Sequence, residues 1–197
     1  MDKYIHRRER IGNFILKVTD SEPLNPREDD NITHMVCFHG RYHLGDKHGY
    51  KKNDYNSWQE LFQAIVEAEK PFIIQPLFMY EHGGITISTS KFRDPWDSGQ
   101  IGFVYITHES YKAMMGSNIN DASPESLEEI IQHEVEDYDR YVRGEAYAYE
   151  IYRIVPDIEG DEHEKLHDSC GGFADEDDAY TEGKAIVEHM IQAQGVE

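Results

Sequence analysis

Cysteine is nearly absent from this chain: Cys37 and Cys170 are the only two in 197 residues. Two thiols cannot staple a secreted disulfide framework, so reduced cysteines in a cytoplasm are the simpler expectation. No apolar run approaches the roughly 20 residues needed to span a bilayer, and the first twelve residues lack the apolar stretch of a secretory signal. Positive charge is also short, with 19 Lys and Arg against 39 Asp and Glu, a net of −20. Proteins that grip DNA, RNA or anionic lipid carry positive footprints, so direct nucleic-acid and membrane binding are disfavoured. Aromatic residues are plentiful at 12%, which argues against wholesale disorder. The length suits one domain over residues 1–197, able to bury a core without metal or disulfide.

The charge is unevenly spread. Residues 1–100 hold 13 basic and 15 acidic side chains, a net of −2, whereas residues 101–197 hold 6 and 24, a net of −18. The acids cluster over residues 125–139, 157–164 and 175–178. Each cluster alone reads as a solvated surface. Together they suggest an anionic face offering carboxylates to a protein's phosphate-binding groove.

Local patterning gives a coarse fold. Residues 13–18, 32–39, 72–80, 85–88, 101–107 and 146–155 read as strands, with Pro76 marking an edge or a bulge. Asn56 and Ser57 can cap a helix carrying Leu61, Phe62, Ile65 and Val66, which Pro71 ends. Ser123-Pro124 starts a second helix with Leu127, Ile130, Ile131, Val135, Tyr138 and Tyr141 inward, stopped by Gly144. A third spans about residues 180–194, with Ile186, Val187, Met190 and Ile191 inward. Residues 21–31 and 41–55 read as loops. This order fits an α+β fold, a single domain with a largely antiparallel sheet and helices packed on one face.

Several strings invite chemistry. His163-Glu164-Lys165-Leu166-His167 satisfies H-E-x-x-H, in which His163 and His167 would share a zinc on one helix face. The flanking glycines and missing apolar periodicity favour a chance match. His39, Arg41 and Asp46 fall in one polar stretch, able to ligate a metal or grip an anion. His82, Thr86, Asp97 and Ser98 could form an acid–base set. The modest preference is that Asp97 and Ser98 close a turn, with Trp96 plugging the core. Cys170 has acidic neighbours, which oppose a reactive thiolate. No phosphate-cradling glycine loop or calcium loop is present, and no cofactor is called for.

The strings at residues 39–46, 76–86 and 95–100 (HGRYHLGD, PLFMYEHGGIT and PWDSGQ) resemble a family of uncharacterised bacteriophage and mobile-element proteins. Members carry HRRYNLGD-like, LYxYxHSGxTxS-like and PWDSGQxG-like strings, and an SCxGF-like turn resembling residues 168–173. Gly40 stands where that pattern has Arg, and Gly83 where it has Ser. The resemblance implies a phage setting and attaches no reaction to it. With the charge asymmetry it gives the leading expectation: a nucleic-acid mimic that inhibits a host defence or nucleic-acid-processing protein. The partner would be a host protein with a basic groove, in the host cytoplasm. Contact residues would be Glu128, Glu129, Glu136, Asp139, Asp175, Glu176, Asp177 and Asp178. The alternative is a small-ligand binder or enzyme whose pocket gathers His39, Arg41, Asp46, His82, Thr86, Asp97 and Ser98.

Overall fold

The computed structural model describes residues 4–194. Four helices and eight strands are present among them, and every strand pairing is antiparallel, so the α+β class holds. The strands form two sheets of four, in two compact units: residues 1–24 with 144–197, and Asn25–Arg143. No helix among the described residues is long and apolar enough to cross a membrane.

The unit built from both chain ends contains β1 (Ile5–Ile11), β2 (Phe14–Asp20), β7 (Tyr147–Pro156) and β8 (Glu162–Phe173), in the order β1-β2-β7-β8. Helix α4 (Glu176–Gln194) covers one face, packing Val187, Ile186 and Met190 onto Phe14, Leu16, Tyr149 and Ile151. Ile191, expected inward, is 38% exposed. The edge strands carry opposite charge. Arg8 and Arg10 on β1 reach Glu164 and Glu162 on β8, at 2.6 and 2.9 Å, and Lys17 on β2 also pairs with Glu164.

The Asn25–Arg143 unit contains β3 (Thr33–Cys37), β4 (Ile73–Glu81), β5 (Ile85–Ser88) and β6 (Ser98–Ile106), in the order β3-β6-β4-β5. Its helices are α1 (Trp58–Glu69), α2 (His108–Met115) and α3 (Pro124–Arg143). Successive strand residues face opposite ways, and both sets are buried here. Met35, Val104 and Ile106 pack with Leu127, Ile131 and Val135 of α3. Val36, Phe103 and Tyr105 pack with Leu61 and Ile65 of α1. This sheet is therefore covered on both faces, where the sequence suggested helices on one. Each fully buried Leu or Ile contributes about 1.5–3 kcal/mol.

Local chemistry sets the boundaries. The Ser57 hydroxyl accepts from the Glu60 N–H to cap α1, which ends at Lys70 with φ +49, because Pro71 disfavours the α region before it. Pro76 pairs with Phe103 on β6, beyond the reach of β5, where its missing N–H costs no ladder bond. The register slips between Leu77 and Phe78, leaving Ile101 as an extra residue on β6. Gly102 is obligatory for packing: a Cβ there would lie 1.9 Å from the Val36 carbonyl oxygen.

Candidate functional site

The bulge at Ile101 sits where the β4–β6 ladder runs out into two turns. Beyond it β6 pairs Gln100, Gly99 and Ser98 with Phe78, Met79 and Tyr80. The Glu81 N–H then donates to the Asp97 carbonyl at 2.8 Å, extending the ladder by one bond. The β4–β5 hairpin turns through His82, Gly83 and Gly84, with Gly83 at φ +73, a conformation that strains any other residue. The segment before β6 is held by Asp94. Its Oδ1 accepts from the N–H of Trp96 at 2.8 Å, and its carbonyl accepts from the Ser98 hydroxyl. Bulges beside a strand end re-aim side chains, and these two turns use that freedom.

Between them lies an open pocket of about 740 Å³, lined in part by Arg41, Tyr42, Glu81, His82, Trp96, Asp97 and Gln100. Two polar pairs organise it. The His82 Nδ1 lies 2.8 Å from Asp97 Oδ2, so Nδ1–H donates to the carboxylate and Nε2 is the remaining ring nitrogen. The Arg41 guanidinium pairs with Glu81, which raises the Arg41 pKa and fixes its charge. His39 stands behind this second pair, its Nε2 3.6 Å from Glu81. Its Nδ1 accepts the N–H of Arg41 and of Tyr42, and its ring stacks on Tyr42 at 5.1 Å. His39 thereby shapes the loop that carries Arg41.

Of the seven residues proposed for a pocket, Arg41, His82, Asp97 and Ser98 line it and His39 supports it. Ser98 is committed to the Asp94 carbonyl, which argues against a nucleophilic role. Thr86 lies opposite Tyr80 in β5 and does not line it. Asp46 has a different task. Both its oxygens accept from Arg27, at 2.8 and 2.9 Å, and Oδ2 also accepts the Met35 N–H. The turn closure expected of Asp97 falls instead to Asp94, freeing Asp97 for His82. Trp96 does not plug the core: it is 92% exposed, held out by the Asp94 turn. Sequence reasoning missed Glu81 as the partner of Arg41, forty residues away. Its only signal was an acid placed next to the His-Gly-Gly turn.

The acidic candidates divide. Glu128, Glu129 and Glu136 are exposed on α3. Asp139 is largely enclosed and accepts the Ile87 N–H at 2.6 Å, pinning β5 to the helix, so its carboxylate is already used. Asp175 caps α4 by accepting the Asp177 N–H, and Asp177 pairs with Arg7 at 3.3 Å. Glu176 lies 4.0 Å from His6, and Asp178 donates its N–H to Asp175. The H-E-x-x-H string forms part of strand β8, not a helix. Residues four apart there are roughly 13 Å from each other along an extended chain, too far for one zinc. His163 bonds Asp157 at 2.8 Å instead, and His167 packs against Phe14.

Of the thiols, Cys37 is buried and its pKa is pushed up to about 12, first by burial and then by Asp46, while Cys170 is exposed on β8. No protein family, curated protein or solved structure matches this chain.

Proposed function

We propose that this is a small-ligand-binding protein whose site is the pocket between the His82–Asp97 and Arg41–Glu81 pairs. The observation that carries the reading is convergence. Residues from three separate stretches, 41–42, 79–84 and 96–101, line one hollow large enough for a small organic ligand. Each polar pair holds its partners in place before any ligand arrives, so little ordering is left to pay for on binding. The motif strings that suggest a phage setting are the same strings that line this pocket. A phage-encoded protein working in a host cytoplasm is therefore part of the proposal.

The test is a fragment screen read by backbone amide and indole N–H shifts. Hits should perturb Gly83, Gly84, Gly99 and the Trp96 indole together, and His82→Ala should abolish those shifts while leaving the melting temperature unchanged. Scattered shifts, or shifts that survive His82→Ala, would refute the pocket.

A second reading, inhibition of a host protein by nucleic-acid mimicry, draws support from α3. Glu125, Glu128, Glu129 and Glu136 are exposed on this one helix, at spacings of three, four and seven residues. Glu128 and Glu129 are adjacent, and Glu125, Glu129 and Glu136, four and seven residues apart, share one face. Such a row would steer towards a basic groove with an on-rate that falls as salt rises. Replacing Glu128, Glu129 and Glu136 together with Gln should then abolish capture of a basic nucleic-acid-binding protein from host lysate. Capture that is unchanged in the triple variant would remove this reading.

A further inference from the structure

We propose that the pocket takes a neutral carbohydrate, with the C–H face of a pyranose ring seated on the Trp96 indole; this rests on the binding reading above. Trp96 supplies the first argument. The turn backbone is fixed by the Trp96 N–H bond to Asp94 Oδ1 and the Ser98 hydroxyl bond to the Asp94 carbonyl. It presents a 92% exposed indole, an apolar plate in water. Covering such a plate takes apolar surface out of water, which is favourable, and its two-torsion side chain loses little entropy when covered.

Charge supplies the second argument. Both carboxylates of the pocket already accept a hydrogen bond, Glu81 from Arg41 and Asp97 from His82. A phosphate would face those two carboxylates, and an ammonium would face the Arg41 guanidinium. A hydroxyl both donates and accepts, so it can meet a carboxylate oxygen, a guanidinium N–H or the His82 Nε2 without burying an unmatched charge. A ring of hydroxyls around an apolar face is the chemistry of a sugar. Space supplies the third. A Cβ added at Gly84 or Gly99 would meet nothing within 4 Å, so the floor between the two pairs is open.

The experiment titrates the full chain with neutral hexoses, N-acetylhexosamines and their disaccharides, following the Trp96 indole N–H resonance. Adenosine, guanosine and inorganic phosphate are run beside them. At least one saccharide should shift that resonance saturably at millimolar concentration. Trp96→Ala should weaken its binding at least tenfold by calorimetry, with an unchanged melting temperature because the indole supports no core. Gly99→Val, which fills the floor at a strand position, should do the same. A nucleoside or phosphate that saturates the pocket when no saccharide does would overturn the carbohydrate and leave the binding reading standing. Saccharide binding that is indifferent to Gly99→Val would overturn the proposed seat. No shift in any pocket residue with any probe or fragment would overturn both.

Discussion

Arg27 has only 3% of its side chain exposed and meets two carboxylates, Asp46 and Glu134. Glu134 in turn accepts the N–H groups of Ile32 and Thr33, so one cation ties α3, β3 and the loop after β3 together. Removing a buried ion-pair partner costs about 3–5 kcal/mol, because the charge left behind loses its match. Asp46 and Glu134 keep some contact with water, which places Arg27→Met at about 3 kcal/mol. Urea denaturation should show the midpoint falling by that free energy. A loss below about 1 kcal/mol would mean that the two carboxylates hydrate in place. Asp46 stands in one polar stretch with His39 and Arg41, which is why it reads as a site residue. Its true partner lies nineteen residues back, in a segment that reads only as loop. Trp96 misleads in the opposite sense: burial is the usual fate of an indole, and only the Asp94 turn holds this one in water.

Elements with an apolar rhythm were legible, and those without were not. α1 and α3 announce themselves by caps and by buried residues three and four apart. β1 reads as a charged leader because Arg7, Arg8, Glu9 and Arg10 interrupt any alternation, yet it pairs with β2 over its length. β8 is exposed almost throughout and is a strand only because β7 offers it a ladder. α2 is eight residues long and buries only Tyr111, too little to show a period. The approach of α4 to its sheet gives a test at this scale. Ala exceeds Gly in helix propensity by about 1 kcal/mol. However, a Cβ at Gly183 would lie 2.7 Å from Leu16 Cδ1 and 2.9 Å from Tyr149 Cβ. The Tyr149 Cβ belongs to the strand and cannot rotate away. Overpacking of this kind costs about 1–3 kcal/mol, so Gly183→Ala should lower the melting temperature despite its better propensity. An unchanged or raised melting temperature would show that α4 shifts freely on its sheet.

At the scale of the molecule, the −20 charge does not act as one field of free acids. Glu162 is held below the usual carboxylate range by its bonds to Arg10, and Glu164 by Lys17 and Arg8. Glu9 is lowered by the Tyr180 hydroxyl and then by Lys184. A carboxylate whose pKa is lower in the folded chain binds fewer protons there than in the unfolded chain. Its stabilisation is full above the ordinary value of 4.5 and disappears as pH falls through the lowered one. Stability from urea titrations should therefore hold from neutral pH to about 5 and decline below about 4.5. Arg10→Gln should make that decline shallower, and an identical slope in the variant would show that the Arg10–Glu162 pair contributes nothing.

The sequence by itself determined the α+β class, most of the apolar strands, the three longer helices and the chemical types of the site residues. These follow from local rules: a period of two or of about 3.6, a cap, a proline, a residue's own donors and acceptors. Only the tertiary structure decided that the strands form two sheets, and that charged β1 and exposed β8 are strands at all. It also paired Asp97 with His82 and Arg41 with Glu81, while Asp46 went to Arg27. Backbone pairing and ion pairing join residues far apart in the chain, and nothing in a single local stretch records which partner folding will bring.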